Sequence, residues 1–179
     1  MKQSIKIAFC GVVSALGVVL MLFQGMAPIA SIAVPALVGC LLIPVVAEAG
    51  LAWAFGTYGA TAALTLLLAP DREAALIYLL FFGYYPALYA VLGRIPQKPL
   101  RYGAKLLVFN LAAVAEALLA LFLLGIPIES LSFFGDFTPV VLLLLANAVF
   151  LIYDFALEGL IAMYFQRLHR RVSRILKGK

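Results

Sequence analysis

Arg94-Ile95-Pro96-Gln97-Lys98-Pro99-Leu100-Arg101 lies near the middle of the chain between two long apolar runs, and with Lys105 it carries four cations. Its two prolines stiffen it, so it reads as a connection between helices. Lys and Arg concentrate on the cytoplasmic side of membrane proteins, which makes this connection a topology anchor; docking to an acidic partner or lipid is the other use of such a segment. Working outward from it, apolar runs occupy about residues 4–24, 29–47, 51–69, 74–93, 103–125 and 139–166. Most are near the roughly 20 residues that cross a hydrocarbon layer. The second is marginal, being short and interrupted by Pro35 and Pro44.

If these runs are six spanning helices and the N-terminus is inside, the charges sort themselves. Lys2 and Lys6, then Arg94, Lys98, Arg101 and Lys105, then Arg167, Arg170, Arg171, Arg174, Lys177 and Lys179 all face the cytoplasm, and of 13 Lys and Arg only Arg72 falls outside. Asp71, Glu73, Glu129 and Asp136 fall in the outer loops. A five-span arrangement would move a basic cluster outside and is rejected. The expected fold is therefore all-α and polytopic, with both termini cytoplasmic and residues 1–179 forming one six-helix membrane domain.

Composition agrees, since 66% of residues are hydrophobic and 12% charged, far from the mixture of soluble domains. The first run resembles a signal peptide in having Lys2 and Lys6 before an apolar stretch, but its core from Ile7 to Phe23 is long and ends well before the small residues at Ser31 to Ala33, so it is read as a retained helix. Cys10 and Cys40 sit among apolar neighbours and behave as small hydrophobes. The outer connections at 24–28 and 126–138 contain few charges, and Phe133, Phe134 and Phe137 suit a lid over a site that opens outward. Residues 167–179 form a basic tail in which Leu168, Val172, Ile175 and Leu176 share one helical face, the mark of an interfacial helix on the lipid bilayer.

Motifs of soluble enzymes are missing from the sequence. There is no Gly-rich lysine loop for phosphates. The only histidine, His169, lies among arginines and is expected to be interfacial, without a ligand or triad partner. Asp154 has no second aspartate in the context needed for an intramembrane protease dyad. No catalytic residue, metal, cofactor or nucleic acid is expected.

Polar groups at membrane depth carry what chemistry remains, because burial there is expensive. Asn147, Leu151, Asp154 and Glu158 recur at spacings of four, three and four, which predicts an inward polar face. Asn110 has a depth close to Asp154, and a hydrogen bond between them is expected. Asn110, Asp154 and Glu158 serve equally well as helix glue or as ligand contacts. Glu116 and Asn147, nearer the outer face and at matching depths, are expected to touch a ligand. Tyr78, Phe82, Tyr85 and Tyr89 form a stripe at helical spacing, read either as packing or as the apolar wall of a pocket. Ala8, Gly11, Ser14 and Ala15 make a small-residue face on the first helix, as Gly56-xxx-Ala60 and Gly59-xxx-Ala63 do on the third; each fits an internal seam or a docking face for another membrane protein.

The opening Ile7-Ala8-Phe9-Cys10-Gly11-Val12-Val13-Ser14-Ala15-Leu16, together with length, span count and orientation, resembles the substrate-binding S components of energy-coupling factor transporters, small vitamin-uptake subunits of prokaryotic cell membranes. In that family an Ala-xxx-Ala type motif on the first helix packs against the transmembrane coupling subunit; here Gly11 and Ala15 match it, with Gly in place of the first Ala. The resemblance implies a small-molecule substrate bound near the outer face, with Glu116, Asn147, Tyr78, Phe82, Tyr85 and Asp154 as candidate contacts. It also implies ATPase partners in place of a phosphate loop. A proton-coupled secondary transporter using Glu116, Asp154 and Glu158, and a membrane scaffold resembling the small cell-elongation subunit, are the alternatives.

Overall fold

The computed structural model describes residues 2–24, 31–123 and 138–177, and every regular element among them is helical. We number them α1 (Gln3–Phe23), α2 (Ala33–Cys40), α3 (Leu42–Glu48), α4 (Leu51–Leu68), α5 (Arg72–Ile77), α6 (Tyr85–Leu92), α7 (Lys98–Leu123), α8 (Thr138–Met163) and α9 (His169–Lys177). Single π-helical turns, Tyr78–Phe82 and Tyr164–Leu168, join α5 toward α6 and α8 to α9.

Five helical stretches are long and apolar enough to cross a membrane: Gln3–Phe23, Leu51–Leu68, Arg72–Leu92, Lys98–Phe122 and Val140–Leu176. The sixth apolar segment, Ala33–Glu48, is shorter; at about 1.5 Å per residue it reaches about 24 Å against about 30 Å of hydrocarbon. It nonetheless runs through the centre of the bundle from the Ser31–Asp71 end to the Ala49–Lys6 end, with Val38, Leu42 and Val45 buried among α1, α4, α5 and α6. Large apolar side chains elsewhere face outward, among them Phe122, Phe155 and Leu67 at 85%, 80% and 77% exposure. A surface of that kind has hydrocarbon as its solvent. Together these features define an all-α, polytopic membrane protein.

Polar contacts fix both ends of the bundle. At one end the Asp71 carboxylate caps α5 through the Ala74 N–H at 3.1 Å and also accepts from Gln24 Nε2 at 2.7 Å and Ser31 Oγ at 3.1 Å. At the other, Lys6 Nζ donates to the Ala49 carbonyl at 3.3 Å, a cation placed where the C-terminal carbonyls of α3 are otherwise unpaired. Gly50 turns the chain there with φ 99°, a left-handed conformation that suits glycine. Between the ends, α1 lies along α4: Ser14 Oγ reaches the Thr57 carbonyl at 3.4 Å, and Gly17 abuts Val38 and Thr61. Thr57 and Thr61 return their hydroxyls to carbonyls four residues earlier, and Thr65 to one three earlier, so that buried polar groups stay satisfied.

Candidate functional site

The buried polar centre lies where α6, α7 and α8 meet. Lys105 Nζ donates to both Asp154 oxygens at 2.7 and 2.8 Å, and Tyr85 Oη donates to Oδ1 at 2.6 Å. Both charged residues are nearly sealed, at 3% and 4% exposure. The ammonium also lies 4.0 Å from the Tyr89 ring centre and 5.2 Å from that of Tyr102, within cation–π range. Lys105 therefore corrects the charge assignment: it is not a cation of the cytoplasmic surface but the partner of Asp154. Its side chain is seven residues into α7, deep enough to meet a carboxylate on the antiparallel helix.

That pairing sets the register for the next contacts outward. Asn110 and Asn147 exchange two amide hydrogen bonds at 3.0 and 2.9 Å, and each Nδ2 also reaches the carbonyl four residues back, Leu106 or Leu143 at 2.8 Å. The expected Asn110 to Asp154 bond is thus replaced by Asn110 to Asn147, and Asn147 has the partner at its own level that the sequence did not reveal. Glu116 stands six residues beyond Asn110, about 9 Å further out at about 1.5 Å per residue, so it does not share the Asn147 level. It is half-buried and makes no hydrogen bond among the described residues.

The inward face of α8 follows Phe150, Asp154, Leu157, Ile161 and Tyr164, which are buried or half-buried, at spacings of four, three, four and three. Such a stripe drifts relative to an ideal helix. Hence Leu151 and Glu158, expected on this face, are exposed. No two of Glu116, Asp154 and Glu158 share a hydrogen bond, and among the described residues no group of three His, Cys, Asp or Glu is arranged to hold a metal.

The aromatic stripe also divides. The π turn Tyr78–Phe82 adds a residue to the local repeat, and Gly39 of α2 approaches so closely that a Cβ there would collide with the Phe82 carbonyl. Tyr78 consequently packs toward Met21, Val38 and Ala62, while Phe82 and Tyr85 pack with Phe81, Phe150 and Tyr153. Among the described residues, Tyr78 Oη and Tyr153 Oη are buried and form no well-aligned hydrogen bond, with Thr61 and Cys40 the polar side chains beside them.

At the end of the bundle that holds Lys6 and Ala49, His169 is not isolated. Its Nδ1 lies 2.7 Å from Glu48 Oε1, which also accepts from Tyr164 Oη at 2.9 Å. Glu48 was missed by sequence reading because 121 residues separate it from His169; its position as a lone acid closing an apolar helix was the available signal.

Gly11 and Ala15 are exposed and line an open groove of about 670 Å³ between α1 and α4, together with Ile7, Trp53, Gly56 and Ala60. A Cβ added at Gly11, Gly56 or Gly59 would meet nothing within 4 Å. These small residues flank the α1/α4 seam and do not form it. The expected lid residues Phe133, Phe134 and Phe137 lie outside the described residues.

Comparison with protein-family models, curated proteins and solved structures gives no match.

Proposed function

We propose that this chain is the substrate-capturing membrane subunit of an ATP-driven importer of the energy-coupling factor type, working in a prokaryotic cell membrane with both termini cytoplasmic. The observation that supports this reading is the groove along α1 and α4. Small residues in a membrane helix allow another helix to approach its backbone closely, and Gly11, Ala15, Gly56 and Ala60 leave that approach open on the outside of the bundle. A coupling subunit would seat one helix there. It would bring the ATPases that supply energy, as a chain without a phosphate loop requires. The substrate would enter from the Asp71 end, where Glu116 offers an acceptor outside the Asn110–Asn147 pair, and Tyr78 and Phe82 belong to the α5–α6 wall nearby.

The test is isolation of the tagged protein from its native membranes in mild detergent, followed by identification of co-isolated proteins and retained small molecules. ATPases that co-isolate with the wild type and vanish with Gly11→Leu or Ala15→Leu, while the retained small molecule persists, support the reading. Uptake driven by a proton gradient in vesicles containing this protein alone would sink it.

A further inference from the structure

The tail that starts within the second π turn carries a separate inference that does not depend on the transport reading. Arg167, Arg170, Arg171 and Arg174 follow one another at i, i+3, i+4 and i+7 and are all exposed. On α9 that spacing puts Arg170, Arg171 and Arg174 on a single face, and Arg167 precedes them within the π turn. The opposite side holds Val172, which packs against the core cluster containing Ile43 and Tyr164. The contact from Glu48 to Tyr164 and His169 ties the start of α9 to the inner end of α3. The helix is thus held in one rotation, with its arginines turned away from the protein.

Like charges three and four residues apart on a helix repel. Here Arg167 opposes Arg170 and Arg171, and Arg174 opposes the same two, and no carboxylate among the described residues pairs with any of them. Glu48, the nearest acid described in contact with the tail, is engaged by Tyr164 and His169. Such a row calls for an external anion. Its setting identifies which kind: Val140–Leu176 is 37 residues long, about 55 Å at about 1.5 Å per residue, against about 30 Å of hydrocarbon, so its last third emerges at headgroup depth. Leu168 and Ile175, 45% and 78% exposed, flank the cationic row with apolar surface, as expected of a helix that lies against a bilayer.

We propose that the Arg167, Arg170, Arg171 and Arg174 face is a binding surface for the phosphate headgroups of anionic phospholipids of the inner leaflet. Guanidinium forks match phosphate oxygens in pairs, and an anion between neighbouring arginines relieves their repulsion. The Glu48 contact then fixes the height at which the bundle meets the headgroups.

The experiment is titration of the purified full-length protein in detergent with phosphatidylglycerol or phosphatidylcholine, reading bound lipids by native mass spectrometry. Wild type should favour phosphatidylglycerol. Each arginine changed to glutamine should lower that preference about fivefold, from about 1 kcal/mol per cation near an anionic surface, and the quadruple variant should lose it. Lys98→Gln with Arg101→Gln, a pair on the neighbouring connection, should keep it. Equal uptake of the two lipids by the wild type, or a preference retained in the quadruple variant, would overturn the proposal. So would a quadruple variant that keeps its lipids but loses a co-isolated acidic protein, which would make that protein the occupant.

Discussion

Removing one member of the Lys105–Asp154 pair strands the other inside the bundle. Asp154→Asn takes away the negative charge and one of the two oxygens that accept from the ammonium, leaving a single neutral amide oxygen for Lys105 and Tyr85. Breaking a buried ion pair from one side costs about 3–5 kcal/mol, whereas replacing both partners with apolar groups is often neutral or stabilising. Two features of the site favour the lower end of that range. Lys105 lies about 10 Å from the start of α7 at about 1.5 Å per residue, so its long stem can carry the ammonium toward the interface, and Tyr89 and Tyr102 offer ring faces on the way. We expect about 3 kcal/mol for Asp154→Asn, which at about 2–4 °C per kcal/mol for a chain of this size is a fall of about 6–12 °C in Tm. Lys105→Met should cost a similar amount. Lys105→Met with Asp154→Asn should regain most of the loss, giving a coupling of at least about 2 kcal/mol. The assay is thermal unfolding in detergent followed by thiol labelling, for which Cys10 and Cys40, buried and half-buried, are internal reporters. Single variants that melt within 1–2 °C of the wild type (about 0.5 kcal/mol), or a double variant as unstable as the sum of both, would refute this account.

Gly39→Ala should destabilise by about 1–3 kcal/mol, because its Cβ meets the rigid Phe82 backbone, while Gly59→Ala, with open space around it, should hold or gain about 0.5–1 kcal/mol; the same melting assay ranks them. Asn147→Ala should lower stability by about 1 kcal/mol through loss of the reciprocal amide pair, whereas Glu116→Gln should leave Tm unchanged and reduce the small molecule retained on purification. For topology, a cysteine-free protein carrying a single cysteine at Pro70 or at Gln97 should be labelled in intact cells by a membrane-impermeant maleimide at Pro70 alone. Labelling at Gln97 would reverse the orientation.

Hydropathy and charge order were enough to read the helical class, the first four apolar segments to within a few residues, and the small-residue faces of α1 and α4, while the fifth span begins about five residues earlier than read and the last helical stretch runs about ten residues further. Both signals are properties of the chain in its solvent: a hydrocarbon layer selects long apolar runs that satisfy their own backbone hydrogen bonds. Partner choice among the buried groups is different, because it depends on how far one helix slides and turns against another. Periodicity placed Asn147, Asp154 and Glu158 together, but the packing stripe through Phe150, Asp154 and Leu157 turned Glu158 outward. Axial register gave Asp154 to Lys105 and Asn147 to Asn110, a shift of one and a half turns that no local pattern records. The π turn at Tyr78–Phe82 split an apparently continuous aromatic face between two clusters. The Glu48–His169 contact required α3 and α9 to meet across most of the chain. Sequence by itself determined which segments enter the membrane, since each residue bears its transfer energy wherever it packs; tertiary structure alone decided which charges neutralise one another there, since that energy exists only at contact distance.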